Sequence, residues 1–404
     1  MPSNSRRAPT VSLLLMVLLI AFPQVSETIY APILPNIANA FNVDASTAQL
    51  TMSIYFVAFA LGVVAWGRMA DRHGRRPAML AGLACYVMGA CAALLATDFI
   101  VLLAARVLLA FGASAGSVVV QTVMRDQFSG AKLASAFSVI GAALSLSPAL
   151  GPPSGALLAM QFGHMGAFAF LAVVGASLFL ATRAWLPETR PVRGDTLPAL
   201  LPVARRVVAD HRLWVAAWRV AGFNLILFGF YTMAPFTLRQ MGWPVWVFGA
   251  TGVAIALGSL MGAWLNRRLL RRFAPAQLVR WAIAASLVGA ALQVGWVAVS
   301  GNPMATLVGL VVCQFLLMLA YGCAIPNLLA TALDAYADVR GSAGALFGLC
   351  YYLMLAAGLG LVGILHSPVA LYQPLAILAI AVLLGLTLAY RPAAVPAAPD
   401  TSAA

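Results

Sequence analysis

The chain has 404 residues, of which 63% are hydrophobic and only 9% charged, and its formal net charge is +13. A water-soluble globular protein carries about 25% charged residues, so the composition excludes one and leaves a polytopic helical membrane protein. The positive charge does not indicate a nucleic-acid partner, because the arginines gather at the ends of apolar runs on alternate loops, as topology signals do.

A helix needs about 20 apolar residues to cross the hydrocarbon core. Twelve such runs occur, near 12–34, 47–67, 78–97, 99–120, 132–158, 165–185, 214–236, 245–265, 276–299, 303–326, 342–364 and 370–390. The first follows Arg6 and Arg7 but outlasts a signal-peptide core and has no small-x-small cleavage site, so a retained span is expected. With both ends and the even-to-odd loops inside, all but three of the 24 lysines and arginines are cytoplasmic. The exceptions are Arg106 and Arg219, placed within spans, and Arg239, placed outside. The expected organisation is a tail over 1–10, a six-helix bundle over 11–186, a linker over 187–212, a second bundle over 213–391 and a disordered tail over 392–404. Pro191, Pro198 and Pro202 confine any linker helix to a short piece after Pro202. Ser46-Thr47-Ala48-Gln49 has the pattern of a capping box opening the second span.

Between the second and third spans, Gly67-Arg68-Met69-Ala70-Asp71-Arg72-His73-Gly74-Arg75-Arg76-Pro77 is too charged for hydrocarbon and must be a tight hairpin at the cytoplasmic surface. A weaker basic hairpin, Asn266-Arg267-Arg268-Leu269-Leu270-Arg271-Arg272, follows the eighth span without the aspartate. Ile29–Leu34 of the first span is echoed by Phe230–Phe236 of the seventh, a weak internal repeat that supports two halves.

Glu27 is the one acidic residue that falls well inside a span. A charged side chain there costs about 2.5–3.5 kcal/mol on insertion scales, which marks it as functional and in need of a partner. Arg106 of the fourth span lies at matching depth and is the expected partner, directly or through water; the alternative is a pair that only fixes helix packing. Gln24, Glu27, Tyr30 and Ala31 share one helix face and could line a cavity. Asn224, Tyr231 and Gln314, with Gln293, could reach that cavity from the second half or hydrogen-bond between helices, and Arg219 is expected to snorkel. The five cysteines sit in apolar runs without a CxxC pair, as packing residues do, and no metal site is expected. There is no GxxxxGK[ST] loop for ATP, and no cofactor is implied.

The Gly67–Pro77 hairpin resembles the loop 2–3 signature of the major facilitator superfamily of secondary transporters. Arg106-Val107-Leu108-Leu109-Ala110-Phe111-Gly112-Ala113 is similar to its fourth-span signature, with Ala110–Phe111 where that family has a glutamine before the glycine. Gly151-Pro152-Pro153-Ser154-Gly155, with Gly141 and Pro148 upstream, resembles the fifth-span signature of antiporters. Tyr30–Pro35, Arg125-Asp126 and Pro326-Asn327 resemble the bicyclomycin/chloramphenicol-resistance group of twelve-span drug:proton antiporters; Leu186-Pro187-Glu188-Thr189 is a broader family feature. That group's first-span aspartate would fall at Thr28, one position after Glu27 and roughly 100° round the helix.

The resemblance implies an all-α fold of two pseudo-symmetric six-helix bundles around a central cavity, in a protein that is not an enzyme. It implies a monomer in the bacterial inner membrane, both termini cytoplasmic, whose partners are protons, lipid and a small-molecule substrate. It assigns proton transfer to Arg106; Glu27, the buried acid at matching depth, is expected on its own burial to carry the exchanged proton with it. It assigns a conformational latch to Gly67, Asp71, Arg72, Gly74, Arg75 and Arg76 with Arg125 and Asp126, Asp71 engaging the start of the eleventh helix at Gly341–Ser342. It assigns an antiporter kink to Pro148, Gly151, Pro152 and Gly155. The implied activity is proton-coupled export of small amphipathic drugs. The alternatives are a physiological exporter of sugars or amino acids, and a non-transporting receptor or assembly factor.

Overall fold

A computed structural model describes residues 12–128, 130–190, 200–336, 339–365, 367 and 369–390, without most side chains of 130–148 or that of Arg340. Lipid offers the backbone no hydrogen bonds, so the apolar runs satisfy their own N–H and C=O groups as helices. In order these are α1 (Leu13–Tyr30), α2 (Leu34–Ala40), α3 (Ala45–His73), α4 (Arg75–Leu94), α5 (Phe99–Gln127), α6 (Gly130–Trp185), α7 (Leu200–Ala209), α8 (His211–Gln240), α9 (Val245–Leu269), α10 (Pro275–Val299), α11 (Pro303–Thr331), α12 (Arg340–Ile364) and α13 (Tyr372–Leu386). A 3₁₀ turn over Ala31–Ile33 joins α1 to α2 without leaving the helical course. Eleven segments among the described residues are long and apolar enough to cross a membrane.

The twelfth predicted span lies within α6. This helix holds the predicted fifth and sixth spans, and its path breaks at Gly163 (φ 63°, ψ −155°), a left-handed conformation open to glycine. Before the break α6 packs on α1 and α9; after it, Gly175 sits against Tyr86 of α4.

Several starts differ from expectation. The second span opens at Asp44, not Ser46: the Asp44 carboxylate accepts from the Thr47 N–H at 2.8 Å and from the Ser46 hydroxyl at 2.8 Å. The basic hairpin is hardly a loop, since α3 runs to His73, α4 starts at Arg75, and Gly74 alone turns the chain. α7 begins at Leu200, so Pro202 stands in its first turn, where a missing N–H is tolerated. The predicted tails, Pro191 and Pro198 lie outside the described residues.

Two bundles result. In one, α4 and α5 pack together, α3 leans on α5, and α1 lies against α6; in the other, α11 lies between α9 and α10 while α8 packs on α12 and α13. They meet along two seams, α3 with α12 and α6 with α9. Large apolar side chains face outward on many helices, among them Leu61, Met88, Leu157, Trp264 and Leu292. Water would not tolerate that much contiguous apolar surface, and acyl chains do. The protein is therefore a multi-pass membrane protein, with basic hairpins at one end.

Candidate functional site

The polar residues of α1 divide between two faces. Thr28 packs against Gly151 of α6, where an added methyl group would strike the threonine hydroxyl, and it donates to the carbonyl oxygens of Gln24 (2.9 Å) and Val25 (3.3 Å). One turn on, Gly155 lies against the Ile29 carbonyl and the Pro32 ring. The expected close glycine contacts form at Gly151 and Gly155, Pro152 lies in helical backbone, and the break at Gly163 is the turn between the predicted fifth and sixth spans. The Pro148 side chain lies outside the description.

Glu27 is buried, 5% exposed, and no described hydrogen bond or ion pair reaches its carboxyl. Its charge is within electrostatic reach of Tyr55 on α3, Tyr321 on α11, and Tyr351 and Tyr352 on α12. The acid's electrostatic neighbours thus include phenols of both bundles.

Arg106 is fully buried and its charge is felt at Glu27, but no direct ion pair joins the two among the described residues, so of the two expected forms of partnership the direct one is not formed here. Its guanidinium lies flat between two rings, 3.7 Å from the centroid of Tyr30 and 4.4 Å from that of Tyr55. None of its three side-chain nitrogens has a hydrogen-bond partner among the described residues. Three helices of one bundle, α1, α3 and α5, therefore supply a π-faced slot for one cation. From Tyr55 the rings continue to the seam. Phe59 stacks on Tyr55 at 6.1 Å and meets Tyr352 of α12 at 4.9 Å, and Phe56 meets Phe228 of α8 at 4.7 Å.

Of the residues expected to line the cavity, Tyr30 belongs to the slot and Gln24 flanks Glu27 one turn away. The second-half candidates serve their own bundle instead. Gln314 donates to the Ile226 carbonyl at 3.4 Å, Tyr231 is packed among Phe228, Phe230 and Phe248, and Gln293 donates to the Leu310 carbonyl at 3.2 Å. Asn224 donates to the Val220 carbonyl at 2.8 Å and accepts from the Tyr321 hydroxyl at 3.3 Å. Arg219, expected to snorkel, donates to the hydroxyl (3.0 Å) and carbonyl (2.7 Å) of Thr387 past the end of α13.

At the basic end the hairpin becomes a polar hub. Arg75, 7% exposed, donates to Asp126 of α5 at 2.8 Å, pairs with Asp71 at 3.2 Å and donates to the Ala70 carbonyl at 2.9 Å. Asp71 pairs with Arg75, and among the described residues no hydrogen bond or ion pair joins it to Gly341 or Ser342 at the start of α12. Glu188, beyond α6, accepts the first N–H groups of α4 from Arg75 (2.9 Å) and Arg76 (3.1 Å), and those of Thr189 and Arg190. Partial burial pushes the Glu188 carboxyl up, but the four N–H donors outweigh it and hold it below the usual carboxylate value. Gly74 (φ 110°) clears the space, since any Cβ there would meet the Glu188 carboxylate. Arg72 joins through its carbonyl, which accepts from Arg190, and Gly67 lies against Val118. Arg125 ends α5 beside Asp126.

At the opposite end Arg239 of α8 crosses between bundles. It donates to the Pro35 carbonyl at 3.1 Å, and the Asn39 side-chain oxygen accepts from it at 2.7 Å. Both flank a cavity of about 540 Å³ that also includes His164, Trp243 and Phe248.

The sequence model of the Major Facilitator Superfamily matches residues 16–359. The chain belongs to this superfamily. An uncharacterized transporter of Rickettsia bellii is 30% identical over 361 residues, covering 87% of this chain and 89% of the relative. A chloramphenicol resistance protein of Pseudomonas aeruginosa is 31% identical over 269 residues, 65% of this chain and 63% of the relative. Among solved structures, the crystal structure of a D-xylose-proton symporter superposes with a TM-score of 0.76 at 12% identity, over 93% of this chain and 96% of that one; it bears on fold alone. This major facilitator is thus a transport protein, not an enzyme. Its aromatic slot and seam are what the sequence did not reveal: Tyr55-Phe56 and Tyr351-Tyr352 look like ordinary apolar-run residues until helix rotation brings them together.

Proposed function

We propose that this chain is a proton-coupled antiporter of the bicyclomycin/chloramphenicol-resistance kind, exporting small amphipathic compounds from the cytoplasm across a bacterial inner membrane, with both termini cytoplasmic. The observation that carries this reading is Glu27: a buried carboxyl with no bonded partner among the described residues, within electrostatic reach of tyrosines of both bundles. The similarity to a chloramphenicol resistance protein supports the substrate class. Aromatic walls suit flat amphipathic molecules, and a single acid suits a neutral or monocationic substrate, since a second positive charge would stay uncompensated.

In the cycle a drug enters from the basic end while Glu27 gives up its proton. The bundles then rock about the α3–α12 and α6–α9 seams, the drug leaves at the opposite end, and a proton returns to Glu27. Ionised Glu27 needs a cation, and Arg106 is the one at hand. Asp71, which the structure pairs with Arg75, is free to exchange that partner for the start of α12 when the basic end closes, a helix N-terminus that favours an anion.

Glu27→Gln protein in proteoliposomes with a pH gradient, tested on labelled chloramphenicol, is expected to insert normally and to lose gradient-driven export. Coupling retained in full would remove Glu27 from the mechanism. Asp71→Asn is expected to slow turnover several-fold while leaving substrate binding unchanged.

A further inference from the structure

We propose that Tyr55 is a positioning residue for the coupling arginine, its ring holding the Arg106 guanidinium in a slot apart from Glu27 and tying that position to the α3–α12 seam. The proposal rests on the coupling role given above to Glu27 and Arg106.

A fully buried guanidinium with no hydrogen-bond acceptor among the described residues is among the costliest groups a membrane protein can hold. What compensates it here is the negative face of two rings, Tyr30 at 3.7 Å and Tyr55 at 4.4 Å. Cation–π contact of this kind strengthens when water is excluded. The slot therefore offers Arg106 a second resting place. With Glu27 neutral the cation stays between the rings, and with Glu27 ionised the carboxylate draws it away.

The two rings are not equivalent. Tyr30 is on α1, one turn from Glu27, and moves with it. Tyr55 is on α3, the helix that forms the seam with α12, and Phe59 stacks on it at 6.1 Å while touching Tyr352 of the other bundle at 4.9 Å. A shift of the seam therefore displaces the Tyr55 wall of the slot first. That gives rocking and proton release a shared part, which an isolated acid–base pair would lack.

The ring, not the hydroxyl, is the working element, so Tyr55→Phe and Tyr55→Leu separate the roles, with Tyr55→Met in place of leucine should that variant fail to reach the membrane. Full-length protein in proteoliposomes is assayed two ways with labelled chloramphenicol, by export driven by a pH gradient and by substrate counterflow, which needs no proton release. The expected result is that Tyr55→Leu loses about tenfold in gradient-driven export and keeps counterflow, while Tyr55→Phe keeps both. Gradient-driven export intact in Tyr55→Leu, or counterflow lost along with it, overturns the proposal, the second outcome indicating a merely structural ring. A phenylalanine variant as impaired as the leucine variant overturns it also. Glu27→Gln in the same assay tells the two failures apart: its loss of coupling beside an unimpaired Tyr55→Leu leaves the antiport reading standing, whereas retained coupling removes that reading and this one together.

Discussion

Thr28 and Glu27 adjoin in sequence and lie roughly 100° apart round α1. The threonine is pressed on Gly151 with its hydroxyl bonded inside the helix, whereas the glutamate is within electrostatic reach of tyrosines of the second bundle. An acid at position 28 would need room that the glycine contact does not leave. We therefore expect Glu27→Gln combined with Thr28→Asp to show no restored proton-driven export and a lower thermal midpoint than Glu27→Gln alone; recovered coupling would mean that the face of α1 does not matter. That an acid belonged to this stretch was legible from the cost of burying it. Which way it pointed was not, because α1 is apolar on nearly all sides and its periodicity does not set its rotation. The same limit hid the slot: Arg106 was visible as a charge in a span, while its stacking on Tyr30 and Tyr55 depends on three helices at once.

At the scale of elements, the hub at the basic end shows how a charge cluster can be structural. The arginine-rich hairpin was legible at once, and so was its surface position. What sequence spacing could not convey is that Glu188, 113 residues after Arg75, closes the start of α4. A carboxylate at a helix start satisfies N–H groups that have no partner within the helix. Glu188→Gln is expected to lower the thermal midpoint by a few degrees and to loosen hydrogen exchange at Arg75 and Arg76. Because the folded carboxyl is more acidic than its ordinary value of 4.5, its contribution is complete above that value and is lost as pH falls through the lower folded value. Unfolding of the wild type below pH 4.5 should therefore lose a pH-dependent component that Glu188→Gln lacks, and equal slopes for the two would exclude the effect.

At the scale of the whole molecule, twelve spans and two halves followed from apolar run length and from the distribution of arginines. The pairing of α3 with α12 and of α6 with α9 did not, since seams depend on which faces meet after each bundle has formed. Arg239 stood out in the sequence as a basic residue on the wrong side of the topology, and its reason is geometric: it fastens α8 to the Pro35 carbonyl and Asn39 of the first bundle. Arg239→Ala is expected to shift the population toward a state open at that end. Spin labels at Ala40 and Val245, on the two sides of the cavity, would report a longer distance in the variant; an unchanged distribution would show that the arginine does not hold the closure.

The rings along the α3–α12 seam meet edge to face and face to face, through contacts that have no single bonded geometry. Such a junction behaves like a lubricated bearing: Phe56 and Phe59 can slip past Phe228 and Tyr352 by a fraction of a ring width without any donor losing its acceptor midway. In the proposed rocking cycle, friction then falls on the directed bonds at the two ends of the molecule, so those ends, not the middle, would set its speed.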